Sequence, residues 1–105
     1  MNQGKRVGDS TSVAGRQISL RPENLLNVEA VNTSAGLLYV LLFDPQTGAP
    51  PGGTTAQDGF PVQAGLGGTL GTPRYVDTCY AAWSSTFPTY TAVGASGPII
   101  GIIQG

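Results

Sequence analysis

The sequence predicts an all-β protein: an antiparallel β-sandwich of about seven short strands with an extended N-terminal arm. Three observations carry that expectation. Sixteen glycines and eight prolines punctuate the 105 residues, which favours short strands joined by many turns. The apolar residues alternate with polar ones or fall in short continuous runs, and no segment sustains a helical period over several turns. Turn signals separate nearly every apolar run from the next.

The length makes one domain with a single modest core, divided here as residues 1–16 (arm) and 17–105 (sandwich). The arm is rich in Gly, Ser and Thr, with isolated Val7 and Val13. Such a segment has too little to bury to order itself, so it is expected to become ordered only against something outside its own domain. Lys5, Arg6, Val7, Val13 and Arg16 are therefore the candidate partner-binding residues.

The elements follow in order. Gln17 to Leu20 suggests a first strand, closed by Arg21-Pro22. Leu26, Val28 and Ala30 alternate with Asn27 and Glu29, as in a strand with one wet face; a short helix from Pro22 is the competing reading. Leu37 to Phe43 is apolar on both faces and too short for a typical helix, so it reads as a central strand. Asp44 to Gly59 is a long Pro/Gly loop. Phe60 to Ala64 reads as an edge strand, because Pro61 cannot donate to a ladder. Gly65 to Thr72 reads as a glycine-rich loop. Arg74 to Ser85 reads as one long strand, followed by a turn at Thr86 to Pro88 and a strand from Thr89 to Val93. Ile99, Ile100, Ile102 and Ile103 form a terminal strand that either pairs centrally or is covered by a neighbouring subunit. Leu38, Val40, Leu42, Cys79 and Trp83 are the expected core.

The chain is poor in chemically active residues. It has no His and one Cys, and charged residues make up 10% of it. Cys79 has no candidate base to generate a thiolate, so a buried small hydrophobe is expected there. A zinc site lacks ligands, and the spacing of Asp9, Glu23, Glu29, Asp44, Asp58 and Asp77 matches no calcium loop. Asp44 and Asp58 flank the long loop but read as turn starters rather than a catalytic pair. Gly65 to Gly71 superficially resembles a phosphate loop, yet no helix follows to receive the anion. Five basic against six acidic residues, a net charge of −1, offer no footprint for nucleic acid. No apolar run approaches the ~20 residues of a membrane span, and no secretory signal opens the chain, so cytoplasmic synthesis is expected. Asn32-Thr33-Ser34 matches a glycosylation acceptor in form and reads as a plain turn. Tyr39, Tyr75, Tyr80, Trp83, Phe87 and Tyr90 could stack sugars. Tyr80 and Trp83 differ by an odd number of positions, so one belongs in the core and the other outside.

Ala82-Trp83-Ser84-Ser85-Thr86 followed by Thr89-Tyr90-Thr91 resembles the end of small β-sandwich structural proteins of tailed-phage virions. The apolar strand ending at Phe43-Asp44, the Pro/Gly loop and Phe60-Pro61-Val62-Gln63-Ala64-Gly65 fit the same order, so the resemblance spans roughly residues 24–93. Thr78 departs from it, standing where that family usually has Gly. The resemblance implies a non-enzymatic virion protein of the capsid decoration or cement type. It would need no cofactor, sit on the capsid surface, bind the major capsid protein and self-associate, as a homotrimer. The alternative is a carbohydrate-binding or structural module of a phage tail or fibre.

Overall fold

The computed structural model describes residues 5–18, 23–76 and 78–104. Within them the protein is all-β, with eight strands in two four-stranded antiparallel sheets. The strands are β1 (Lys5–Val7), β2 (Gly15–Gln17), β3 (Glu23–Val31), β4 (Leu38–Phe43), β5 (Asp58–Val62), β6 (Gly67–Val76), β7 (Tyr80–Ser84) and β8 (Ile99–Gln104). The first sheet has the order β1-β8-β3-β6 and the second β2-β7-β4-β5.

The alternation at Leu26, Val28 and Ala30 is a strand, as expected, not a helix. Val28 and Ala30 point into the sandwich, while Asn27, Glu29 and Val31 face out. Between Leu25 and Asn27 the register of β3 shifts against both neighbours. On the β6 side one residue of β3 opposes Thr72 and Pro73, so Pro73 lies in a bulge where no ladder N–H is required.

The main core lies between the sheets and contains Leu38, Val40, Leu42, Cys79 and Trp83 together with Ile18, Val28, Phe60, Val62, Ile99 and Ile103. Each fully buried aliphatic or aromatic side chain contributes about 1.5–3 kcal/mol. β4 is covered on both faces because Leu41 and Phe43 face the other way, into a second cluster with Ala82 and Tyr90. Tyr90 meets Phe43 edge-on at 5.5 Å between ring centroids.

That second cluster is roofed by two loops that join each other. Tyr90 N donates to Thr54 O, Gly53 N to Tyr90 O and Ala56 N to Pro88 O. Thr89 to Val93 therefore does not form the expected strand of a sheet. It makes isolated bridges, Thr55 with Thr89 and Ser84 with Ala92.

Three further expectations are corrected. Gly65 to Thr72 is not a loop throughout, since β6 begins at Gly67. The run from Arg74 to Ser85 is not one strand: β6 ends at Val76 in the first sheet and β7 starts at Tyr80 in the second. Lastly, the residues expected to form an arm pair within their own domain. β1 lies antiparallel to β8 and β2 to β7, so a boundary at residue 16 cuts through β2. Leu20, Arg21, Pro22 and Asp77 lie outside the described residues.

Of the two alternatives for the terminal isoleucines, β8 takes the central one, between β1 and β3. Gly101 interrupts the run because a Cβ there would run into the Ile18 side chain.

Candidate functional site

The described aspartates accept backbone N–H groups. Asp58 Oδ1 accepts Gly59 N at 2.9 Å, and Asp44 Oδ1 accepts Thr78 N at 3.3 Å. Asp9 Oδ1 accepts Thr11 N at 2.9 Å. Hydrogen bonds from the Thr11 backbone and side chain hold the Asp9 carboxyl below its usual range, with a smaller contribution from Arg16. Among the described residues no three His, Cys, Asp or Glu side chains converge on a possible cation site. Cys79 is buried, 1% exposed, in the main core, where its small size fits the packing.

The candidate partner-binding residues separate into different roles. Val7 and Val13 are half-buried and pack on the main core. Arg16 shares its face with core residue Ala81 across the ladder. Its side chain is only 20% exposed, and Nη2 lies 3.7 Å from Asp9 Oδ1, too long and too wet to contribute much. Its Nε is buried with no hydrogen-bond partner. The two valines are therefore occupied within the chain, and Arg16 is largely buried against it. Arg6 is exposed, on the outer face of the first sheet opposite Ile102; the side chain of Lys5 lies outside what is described.

Asn32 reads from the sequence as a plain turn residue, yet it organises one end of the sandwich. It is fully buried. Nδ2 donates to Gly36 O at 2.8 Å and Val62 O at 2.9 Å. Oδ1 accepts Ser34 N at 2.9 Å and Ser34 Oγ at 2.6 Å. Its backbone N donates to Leu66 O, and its carbonyl accepts Gly65 N. Every polar group of the residue is satisfied, as burial demands. The amide nitrogen that a glycan would require is thus committed to the β3–β4 connection and the end of β5.

The β3–β4 and β5–β6 connections and the end of β3 display apolar side chains. Val31, Leu37 and Leu66 are 44%, 46% and 57% exposed, three of the four large hydrophobic residues exposed among those described. Beside Val31 a shallow groove of about 520 Å³ runs over the outer face of the first sheet. Its walls include Val31, Pro98 and Ile100, its floor Gly67 and Gly68, and its polar groups Glu29 and Thr69. Sequence reasoning missed this surface because single exposed aliphatics are ordinary; only the Asn32 hydrogen bonds bring them together.

The fourth exposed hydrophobe is Phe87, stacked on Tyr39 at 5.8 Å with 23° between ring planes. Of the other aromatics, Trp83 is wholly buried and Tyr80 is half-exposed on the opposite face of β7, as their odd spacing requires. Trp83 Nε1 donates to Gly97 O at 3.0 Å.

No protein-family model, curated protein or solved structure matches this chain.

Proposed function

We propose that this protein is a non-enzymatic structural component of a phage virion, a capsid decoration protein that binds the major capsid protein. The observation that supports the reading most is the apolar end around Asn32. Leu37 and Leu66 are held outward by hydrogen-bonded loops and Val31 by the end of β3. A preorganised apolar surface of this kind suits a contact that must form without a large ordering cost. The sequence adds that general acid–base groups are scarce, with no His present. The contact proposed here lies on these loops rather than on residues 5–17, whose valines face their own core.

The test uses virions of the phage that encodes the chain. Quantitative mass spectrometry should find it in a fixed stoichiometric ratio to the major capsid protein. Leu37→Asp and Leu66→Asp variants should remain folded and fail to bind capsids lacking the protein. Full binding by both variants would refute the assigned surface, and absence from virions would refute the reading itself.

The second reading, a carbohydrate-binding module, is favoured by one feature: the exposed Phe87 ring stacked on Tyr39. Saturation-transfer NMR with host surface polysaccharide should show contact to the Phe87 ring if that reading holds.

A further inference from the structure

The two sheets are treated differently on their outer sides. The second is roofed by its loops, with Leu41 wholly buried and Phe43 3% exposed. Over the first sheet, Val31 is exposed and Ile100 and Ile102 are half-buried. The ladder pairings fix how this face is laid out. Arg6, Ile102, Asn27 and Gly71 form one row across β1, β8, β3 and β6, and Ile100, Glu29 and Thr69 form the next. Arg6 and Glu29 are the charged side chains on this face among those described. Two strand spacings and one two-residue step separate them, roughly 12 Å. The midpoint falls over β8, between Ile100 and Ile102.

At the Glu29 end one long hydrogen bond is made and one acceptor is left over. Asn27 Nδ2 donates to Glu29 Oε2 at 3.5 Å, and Asn27 Oδ1 is shielded with no hydrogen-bond partner. One carboxylate and one amide oxygen therefore sit together, while the matching cation lies across the same face, beyond reach within the chain.

From this pattern we infer that the outer face of the first sheet docks a second copy of this chain. A two-fold axis lying in the contact plane and crossing β8 between Ile100 and Ile102 brings each Arg6 against the partner's Glu29. It sets the isoleucines at the centre of the contact. Because both charges lie on one face, the arrangement closes as an isologous pair and cannot propagate head-to-tail around a three-membered ring. This arrangement differs from the homotrimer that the resemblance implies. The area decides how strong the pair is. Four strands by about six residues cover roughly 400 Å² per copy, about half of what a stable interface buries per partner. The dimer is accordingly weak and concentration-dependent.

Sedimentation equilibrium of the full chain over a wide concentration range tests this. The expected result is a reversible monomer–dimer equilibrium that weakens with added salt. Arg6→Glu and Glu29→Arg should each weaken it by about tenfold, since two attractive pairs become repulsive. The double variant Arg6→Glu/Glu29→Arg should restore it, with circular dichroism confirming that all three remain folded. A monomer at every concentration, a trimer, or failure of the double variant to restore the dimer would each overturn the inference. The measurement uses isolated protein, so it stands or falls separately from the capsid-binding reading.

Discussion

Replacing Trp83 should remove a large part of the stability of this fold. The indole is fully buried and joins three parts of the chain. It packs in the main core, donates Nε1–H to Gly97 O at the entrance to β8, and its backbone N donates to Ala14 O beside β2. Removing a buried Trp side chain costs about 3–5 kcal/mol through lost burial and the cavity left behind. The lost hydrogen bond is included at about 1 kcal/mol, because Gly97 O keeps Val13 N as a second donor and is not orphaned. A domain of this size has about 5–15 kcal/mol in all, so Trp83→Ala approaches the limit of folding. Trp83→Phe, which retains a ring and loses the donor, should cost roughly 1–3 kcal/mol and keeps the test informative if the alanine variant does not fold. Urea titration followed by far-ultraviolet circular dichroism reads both, with midpoints falling by roughly 1–4 M for the alanine change. Stabilities within about 0.5 kcal/mol of the natural protein for both variants would refute the buried, hydrogen-bonded assignment.

Gly97 has φ +138°, and a Cβ there would collide with the Val31 carbonyl; Gly97→Ala should lower stability by more than about 2 kcal/mol in the same titration. Asn32→Ala removes the side-chain partner of Val62 O and Ser34 N, while Gly36 O keeps Ser34 Oγ as a donor, so a loss of about 2–3 kcal/mol is expected. Hydrogen exchange should rise first in the β3–β4 and β5–β6 connections. Burial, and then the neighbouring Tyr80, push the Tyr90 phenol above its ordinary range. Its contribution is complete below the unfolded-state value and lost as pH rises through the folded-state value. Stability should therefore fall above about pH 10, and Tyr90→Phe should flatten that fall in pH-dependent melting.

The parts of the fold legible in the sequence are those where one residue type had one physical meaning. Leu37 to Phe43 reads as apolar on both faces, and from Leu38 onward it is covered on both, by the inter-sheet core and by the Tyr90 cluster, while Leu37 itself stands exposed. Pro61 marked an edge, and β5 is one. Glycine misled at β6. Gly68 is not there to bend a loop; a Cβ on it would come within 3.1 Å of Val62 Cγ2, so the strand needs a small residue at the point where β5 passes. The break between β6 and β7 had no compositional mark, because both segments are good β sequence and only the pairing partners change. The candidate site was less legible still. Val31, Leu37 and Leu66 are far apart in sequence, and the Asn32 hydrogen bonds that gather them look from sequence like an ordinary Asn-Thr-Ser turn.

The segment before β3 shows why composition underestimated order. Two valines cannot offset an ordering cost of about 1–2 kcal/mol per residue if backbone polar groups gain nothing. Here they gain ladder partners, because β8 and β7 would otherwise be the outer strands of their sheets along the same side. β1 caps one and β2 the other. On the opposite side β5 and β6 carry Pro61 and the bulge at Pro73, both devices that discourage pairing by another chain. The short strands thus close an edge more than they add stability. Deleting residues 1–16 should consequently change the unfolding free energy modestly, since the lost contacts of Val7 and Val13 are offset by regained chain entropy. The larger effect should be on solubility, because the deletion uncovers β8 with its Ile-Ile-Gly-Ile-Ile run. Light scattering on the truncated protein, at concentrations where the full chain stays clear, should show aggregation, and a Lys placed at position 102 should suppress it. A truncated protein that stays dispersed would show that β8 needs no cover and that β1 has some other purpose.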